Sequence, residues 1–380
     1  MSQKVLLKDT LFNPLKVRKI ALEIKKVYPD FQDQRFEKEV CEEFPKLELK
    51  ARMYHIRDVL GKYLPKEYES AVEILLRSLP KELDATKSDD DFGDFIYAPY
   101  SEFVSLYGCS EEYLLFSLET LRELTKRFSV EFAIRDFINL YPEETLDMLM
   151  SCALSDNYHE RRLASEGLRP KLPGAKKVTL DHREPLKHLD ILFYDTTRYV
   201  TRSVANHLND ISKMDAPLVI ATLKRWKTSG KQNPKEMDYI VNHALRTLVK
   251  QGYEEALLVL GYGKEPDIKV SNFMLHTEHV LIGDALIFNV TLEAKEDTKL
   301  LIDYIVYFRT KAGTFSPKVH KFKKIELKKN TSITLEKKHL FKSAMSTRKL
   351  YEGEHKVALQ INGVIVKKNT FTLKRSEDTL

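Results

Sequence analysis

The chain has 380 residues, of which 43% are hydrophobic and 31% charged, and its formal net charge is +6. This length and composition are typical of a globular protein with two or three domains and a sizeable core. The three cysteines, Cys41, Cys109 and Cys152, are far apart and odd in number, which argues against a disulfide framework and a zinc site. The N-terminal residues lack the pattern of a secretory signal, and no apolar run approaches the roughly 20 residues of a membrane-spanning helix, so we expect a cytoplasmic protein.

The basic residues are concentrated toward the C-terminus. From Lys264 onward there are 22 basic and 14 acidic residues, which leaves 40 basic and 42 acidic residues for the preceding 263. Between Arg309 and Lys349 there are 13 basic residues and two acids, Glu326 and Glu336. This concentration favours a polyanionic partner such as nucleic acid. The alternative is that the lysines protect exposed strand edges from aggregation.

Up to about residue 260, apolar residues recur at helical spacing. The stretches "EEYLLFSLETLRELTKRF" (111–128) and "PKEMDYIVNHALRTLVKQG" (234–252) each predict an amphipathic helix. The second opens with Pro234 in a first helical turn and closes at Gly252, the usual asymmetry of helix ends. The region is therefore predicted to be all-helical.

Two segments of the helical region resemble each other when they are aligned 40 residues apart. The segment "HERRLASEGL" (159–168) lies over "YVTRSVANHL" (199–208), so that Arg162 matches Arg202 and Leu168 matches Leu208. A helical repeat of about 40 residues is the period of HEAT and armadillo proteins, whose repeats stack into a curved solenoid with a concave face. We therefore predict a HEAT-like solenoid over residues 1–262.

After about Gly263 the pattern changes to short segments rich in β-branched and aromatic residues, largely with alternating polarity. These segments are "HVLIGDALIFNVTLEA", "LLIDYIVYFRT", "HKFKKIEL", "HKVALQI" and "VIVKKNTFTL". Asn362-Gly363 between the last two is a strong hairpin signal. Several strands in roughly 110 residues predict an immunoglobulin-like β-sandwich over residues 263–380, after a linker in "GYGKEPD" (261–267).

The sequence contains no P-loop, no G-x-S-x-G and no H-E-x-x-H motif, so the candidates for chemistry are carboxylates near basic residues. Glu131 stands four residues before Arg135, on one face of a predicted helix, while Glu166 and Asp210 end the two repeat copies. If the copies stack, Glu166 and Asp210 could face one groove. Each acid also has an ordinary explanation, as a surface pair with Arg135 or as helix-end turn chemistry. Trp226, the only tryptophan, is expected to pack between helices rather than to stack on a base.

Several longer segments resemble the AlkC-type DNA alkylation-repair glycosylases. They are "EFAIRDFI", "HERRLASEGLRPKLP", "YVTRSVANHLNDI", "NHALRTLVKQG", "LLIDYIVYFRTKAGTFSPKVHKFK" and "HKVALQING", in this order between about residues 110 and 373. The resemblance implies a HEAT-like solenoid followed by an immunoglobulin-like domain. It also implies excision of cationic methylated bases from duplex DNA, 3-methyladenine above all and 3-methylcytosine or 1-methyladenine in some members. We expect double-stranded DNA as the partner, no cofactor, no metal, no membrane and a monomer.

By motif position, the resemblance assigns the catalytic acids to Glu131, Glu166 and Asp210. The resemblance implies an aromatic residue that contacts the lesion at the position where this sequence has Gly174. The DNA contacts expected from the matched motifs and from the lysine-rich strand are Arg162, Arg169, Lys171, Arg202, Asn206, Arg246, Lys318, Lys321 and Lys323.

A base methylated at a ring nitrogen is cationic and already a good leaving group, so the enzyme chiefly needs anionic groups near the deoxyribose. The resemblance implies that these groups reach the sugar of an unflipped nucleotide in kinked DNA, while the C-terminal domain clasps the duplex. We also predict no lyase activity, which would require a lysine amine that forms a Schiff base with the sugar. The alternatives are a non-catalytic HEAT-repeat protein that recognises nucleic-acid shape and a protein-interaction scaffold.

Overall fold

The computed structural model describes residues 6–89, 91–343, 345 and 348–375. The described chain is helical up to Val259 and strand-rich from Ile268, in agreement with the predicted order of helices before strands. Residues up to 215 together with 221–244 form one compact unit, and residues 216–220 together with those from 245 onward form the other. None of the helices in the described ranges is both long enough and apolar enough to cross a membrane.

The helical region contains the following α-helices within the described residues: α1 (Leu7–Leu11), α2 (Pro14–Val27), α3 (Asp33–Glu43), α4 (Leu49–Tyr63), α5 (Tyr68–Ser78), α6 (Ala98–Gly108), α7 (Leu114–Thr125), α8 (Ile134–Leu140), α9 (Pro142–Ala153), α10 (Tyr158–Glu166), α11 (Leu186–Leu192), α12 (Arg198–Ile211), α13 (Ala216–Ser229), α14 (Pro234–Ala244), α15 (Arg246–Gln251) and α16 (Glu254–Val259). Short 3₁₀ turns span Phe44–Lys46 and Phe95–Tyr97.

Apolar residues at helical spacing explain how the helices stack. In α12, Val200, Val204, Leu208 and Ile211 lie on one face and are fully buried. This helix contacts α10 and α14, and α10 in turn contacts α9, so that the elements succeed one another as a HEAT-like solenoid. The two segments aligned in the repeat therefore lie side by side.

The predicted helix over 234–252 is two helices rather than one. The first, α14, ends at Ala244 and α15 begins at Arg246. Gly252 ends α15 with a φ of 73°, the left-handed conformation that glycine adopts without strain. A Cβ atom at this position would lie 2.7 Å from the carbonyl oxygen of Gly363, so the close approach of the two backbones also requires glycine.

Within the part of the chain that the structure describes, the strands form two sheets. They are β1 (Ile268–Leu275), β2 (His279–Leu281), β3 (Ala285–Ala294), β4 (Thr298–Arg309), β5 (Phe315–Leu327), β6 (Ser332–Leu340), β7 (Gly353–Ile361) and β8 (Val364–Lys374). One sheet has the order β1-β3-β6 and the other β2-β8-β7-β4-β5. All neighbours are antiparallel except β2 and β8.

The two sheets share a core and form the predicted immunoglobulin-like sandwich. Phe288 from one sheet and Tyr304 and Val306 from the other lie in the same buried cluster. The hairpin between β7 and β8 turns at Asn362 and Gly363, whose φ values of 46° and 82° are those of the predicted tight turn. β5 lies at the end of its sheet order, which places its lysines on a sheet edge.

Candidate active site

The structure brings Glu166 and Asp210 together on one arginine. Glu166 is the last residue of α10 and Asp210 lies near the end of α12. Arg169 Nη1 donates to Glu166 Oε1 at 2.6 Å, and its Nη2 lies 2.8 Å from Asp210 Oδ2 in an ion pair. Its Nε donates to the same Asp210 oxygen at 2.9 Å. Both carboxylates are buried, so each requires such a partner to remain charged.

Glu131 joins the same network through Arg162. Arg162 Nη1 lies 3.2 Å from Glu131 Oε2, and its Nη2 lies 3.7 Å from Glu166 Oε1. The guanidinium also lies 4.6 Å from the centre of the Tyr199 ring, a cation–π contact. Three acids from separate parts of the chain are thus linked by Arg162 and Arg169.

The helix-face position predicted for Glu131 is wrong. Glu131 lies in the turn that precedes α8, not on the helix with Arg135. Its carboxylate accepts hydrogen bonds from the hydroxyl of Ser129 and from Arg162. Arg135 is fully buried and donates to the carbonyl oxygens of Gly167 and Arg169, both at 2.9 Å. It therefore holds the loop that carries Arg169, a role that spacing along one helix cannot reveal.

Glu166 is held in its ionised form. Burial opposes ionisation, but the positive charges of Arg162 and Arg169 and a hydrogen bond from Ser203 lower the pKa of Glu166 below its ordinary value. Ser203 Oγ donates to Glu166 Oε2 at 2.6 Å and lies 2.9 Å from Ser165 Oγ. A buried carboxylate that stays charged at neutral pH can stabilise a neighbouring cation.

A lysine also lies at the site. Lys213 Nζ is 3.0 Å from Asp210 Oδ1, so Asp210 is paired on both of its oxygens. The residue stands two positions beyond the matched motif "YVTRSVANHLNDI", which explains why motif inspection missed it. Ser203 lies within that motif, but only the packing of α12 on α10 reveals its contact with Glu166.

The residues predicted to contact DNA have different environments. Arg202 forms an ion pair with Asp89, and Asn206 Oδ1 accepts a hydrogen bond from His243 Nε2 at 2.8 Å. Lys171 is exposed on the turn after Arg169.

The remaining predicted DNA contacts belong to the second compact unit. Arg246 begins α15. Lys318, Lys321 and Lys323 are exposed on β5. These three lysines therefore lie on the edge strand of the five-stranded sheet.

Gly174 has a φ of 78°, so it lies in the left-handed region that side chains disfavour. Its carbonyl oxygen accepts a hydrogen bond from Lys50 of α4. The ammonium group of Lys50 in turn lies 5.0 Å from the centre of the Phe132 ring. The loop therefore contributes a backbone carbonyl and a lysine contact at the position where the resemblance implies an aromatic ring.

Trp226 packs between helices, as expected. Its side chain is buried and lies parallel to Phe193, with the ring centres 4.5 Å apart. The indole N–H donates to Asp190 Oδ1 at 2.7 Å. Among the residues that the structure describes, no three histidine, cysteine or carboxylate side chains are grouped so that they could hold a metal ion.

Comparison with known proteins places the chain in a family. Residues 269–375 match the family model described as "Uncharacterised protein YhaZ, C-terminal Ig-like domain". The protein named "Uncharacterized protein YhaZ" of Bacillus subtilis (strain 168) is 31% identical over 361 residues, which cover 93% of this chain and 96% of that protein. The structure of the Pseudomonas fluorescens alkylpurine DNA glycosylase AlkC, bound to DNA containing an abasic site analog, is similar with a TM-score of 0.87 and 29% identity. The similarity covers 97% of this chain and 100% of that one. The chain therefore belongs to the family of YhaZ and of the AlkC-type DNA alkylation-repair glycosylases, with a C-terminal immunoglobulin-like domain.

Proposed function

We propose that the protein is a DNA glycosylase that excises cationic alkylated bases from duplex DNA, with 3-methyladenine as the first candidate substrate and 3-methylcytosine and 1-methyladenine as further candidates. The observation that carries the proposal is the single network in which Arg162 and Arg169 connect Glu131, Glu166 and Asp210. The similarity along the whole chain to an alkylpurine DNA glycosylase supports it.

In the proposed reaction the bond between the base and C1′ of the deoxyribose breaks, and its electron pair goes to the base. The base leaves as a neutral molecule because it was a cation before cleavage, so no proton has to be donated to it. The positive charge that develops on the sugar is stabilised by the carboxylates. A water molecule adds to C1′ and gives up a proton to a carboxylate, which passes it on to solvent. The lowered pKa of Glu166 suits this role, since the acid must be charged before the cation forms.

The three acids differ in access. The side chain of Glu131 is 19% exposed, whereas those of Glu166 and Asp210 are 7% and 3% exposed. Asp210 is also paired with both Arg169 and Lys213. We therefore infer that Glu131 and Glu166 act on the sugar and its water, while Asp210 is a positioning residue that holds Arg169 in place.

The same contacts suggest different roles for the basic residues. Arg162 and Arg169 pair with Glu166 and lower its pKa, while the phosphate contacts of the proposal rest first on exposed groups such as Lys171 and the lysines of β5. A double variant, Lys321→Gln with Lys323→Gln, is expected to reduce the salt dependence of DNA binding by about two phosphate contacts. Lys328→Gln with Lys329→Gln is the matched control, because those lysines pair with Asp297 and Glu296.

We also propose that the enzyme is monofunctional. A Schiff base requires an uncharged amine, and Lys213 is held as an ion pair with Asp210. Trapping with borohydride on DNA that contains an abasic site should therefore give no covalent adduct. An adduct that disappears in Lys213→Gln would show instead that this lysine attacks the sugar.

The proposal is tested by base release from methylated duplex DNA under single-turnover conditions. Wild type should release 3-methyladenine, and Glu131→Gln and Glu166→Gln should each slow release by about 10²- to 10³-fold while DNA binding persists. Glu160→Gln is a matched control on α10, because Glu160 is also buried and pairs with Arg122 at 2.6 Å outside the network. If Glu160→Gln slowed base release to the same extent, the effect would come from a loss of folding rather than from the network.

If wild type binds DNA but releases no base, the non-catalytic alternative replaces the glycosylase. If binding is insensitive to salt, the interaction scaffold gains support, since six to ten phosphate contacts weaken binding by about 10³- to 10⁵-fold between 50 and 200 mM salt.

A further inference from the structure

An acidic segment of the chain lies next to the two helices that carry the acids of the site. Residues 84–94, "DATKSDDDFGD", contain five aspartates and one lysine. This acidic segment connects α5 to the short 3₁₀ turn before α6, and it belongs to the same compact unit as α10 and α12. A strongly negative segment beside a proposed DNA-binding site is unexpected, because it repels a polyanion.

Backbone hydrogen bonds hold both ends of the acidic segment. The amide of Leu83, just before it, donates to the carbonyl oxygen of Lys126 at 3.0 Å. At the other end, the amide of Ser129 donates to the carbonyl oxygen of Phe92 at 3.4 Å. Gly93 follows with a φ of 81°, the left-handed conformation that glycine adopts without strain. These anchors do not involve aspartate side chains, so the middle of the segment can change its contacts while the ends stay in place.

The middle of the acidic segment lies against the first turns of α10 and α12. The hydroxyl of Tyr158, the first residue of α10, donates to the carbonyl oxygen of Asp84 at 3.4 Å. The amide of Tyr199, in the first turn of α12, donates to the carbonyl oxygen of Ser88 at 3.0 Å. The segment therefore passes from one repeat helix to the next at the ends where both helices begin.

An ion pair joins the acidic segment to the face of α12 that carries the catalytic network. Asp89 pairs with Arg202. At 3.6 residues per turn, Arg202 lies within an arc of about 100° that also contains Tyr199, Ser203 and Asp210. The Tyr199 ring contacts Arg162, Ser203 donates to Glu166, and Asp210 pairs with Arg169. Asp89 thus neutralises a cation on the same helix face as the proposed catalytic acids.

A phosphate can replace Asp89 in this ion pair. Carboxylate and phosphate oxygens both accept hydrogen bonds from a guanidinium group. The side chains of Asp89 and Arg202 are 39% and 30% exposed, so water and salt screen the pair and it adds little to stability. Residues 84–89 are all exposed, and a segment that buries so little surface separates easily from the helices beneath it.

We propose that the acidic segment occupies a phosphate position at Arg202 when DNA is absent, and that the DNA backbone displaces Asp89 from it before base excision. The proposal rests on the proposed function for the identity of the polyanion. Since only the protein with Arg202 released is competent for this phosphate contact, the ion pair lowers the apparent affinity for duplex DNA by the fraction of molecules that remain paired. The segment is therefore an autoinhibitory contact that restrains binding.

The test is a double-mutant cycle on DNA binding. Asp89→Asn removes the charge and keeps the shape of the side chain, and it is made in wild type and in the Arg202→Gln background. Asp58→Asn on α4 is the matched control, because Asp58 is also exposed and pairs with an arginine, Arg57, at 2.7 Å. Binding to unmodified duplex DNA is measured by fluorescence anisotropy at about 150 mM salt, where the screening length of about 8 Å suppresses the effect of distant charges.

We expect Asp89→Asn to bind duplex DNA about fivefold more tightly than wild type, and Asp58→Asn to differ from wild type by less than about twofold. Arg202→Gln should bind more weakly than wild type, and adding Asp89→Asn to it should change nothing, because the competition requires the arginine. The proposal is overturned if Asp89→Asn binds no more tightly than Asp58→Asn. It is also overturned if the gain persists without Arg202, since Asp89 would then act on DNA through its own charge.

The cycle is independent of catalysis, because unmodified DNA contains no base to excise. A protein that shows the gain at Asp89 but releases no 3-methyladenine from methylated duplex DNA would support the autoinhibitory contact and refute the glycosylase. Base release by a protein that shows no gain would do the reverse. If only Asp89→Asn binds duplex DNA, the autoinhibition is stronger than expected, and if no variant binds it, the proposal fails.

Discussion

Replacing Glu102 with glutamine should stabilise the protein at alkaline pH and leave its stability almost unchanged in acid. The carboxyl group is buried on α6 and has no partner among the described residues, whereas a glutamine amide of the same shape carries no charge to desolvate. The variant therefore removes the penalty of ionising this group in the folded state.

The magnitude follows from the pKa. Burial raises the pKa of Glu102 from 4.5 to about 7, and each pKa unit corresponds to about 1.4 kcal/mol, so the ionised group costs the folded state about 3 kcal/mol. Below pH 4.5 the group is protonated in both the folded and unfolded states, and the penalty is absent. The penalty grows as the pH rises through 4.5 toward 7 and is complete above about pH 7.

The assay is urea unfolding of wild type, Glu102→Gln and the exposed control Glu119→Gln at several pH values between 4.5 and 8.5. The difference in free energy of unfolding between Glu102→Gln and wild type should rise across this range, while the control should stay near zero. A difference that does not change with pH would refute the reasoning, because it would mean that the ionisation of Glu102 carries no penalty in the folded protein.

Three further substitutions probe the framework of the site. Arg169→Lys should lower the free energy of unfolding by about 3–5 kcal/mol, since a lysine cannot pair with both Glu166 and Asp210 as the guanidinium does. Chemical denaturation measures this loss, and a value below about 1 kcal/mol would contradict the prediction. Gly174→Trp should cost about 1–2 kcal/mol because its φ is 78°, and an unchanged thermal midpoint would contradict that strain. Trp226→Ala should cost about 3–5 kcal/mol in thermal or urea unfolding, because the ring is fully buried; a midpoint within a degree of wild type would argue against a packing role.

Local patterns in the chain were enough to predict the two kinds of structure and some turns. The hairpin at Asn362-Gly363 is confirmed because a tight turn with positive φ at both positions depends on those two residues and little else. In contrast, "HVLIGDALIFNVTLEA" forms two strands, since the chain turns at Gly283. β1 and β6 were not predicted; their burial is partial, and they are strands because each pairs with β3.

The candidate site likewise has properties that the sequence predicted and others that it did not. The types of the acids and their places in the motifs could be recognised from sequence, and the stacking of the repeat copies predicted that Glu166 and Asp210 would lie near each other. Which cation meets each acid could not be predicted, because Arg162 reaches Glu131 across 31 residues and Arg169 reaches Asp210 across 41. That Glu102 of α6 and Glu131, in the turn before α8, line one cavity depends likewise on the contact between α6 and α8.

The sequence by itself determined the order of helices before strands, the helical repeat and the presence of acids and bases in the matched motifs, because periodicity and turn chemistry act over a few residues. Only the tertiary structure decided which charges are paired, which acid remains partly exposed and which carboxyl group, that of Glu102, has its pKa raised by burial. Those properties depend on the distances between residues far apart in the chain and on how deeply each residue is buried. The packing of one helix on the next determines both the distances and the burial.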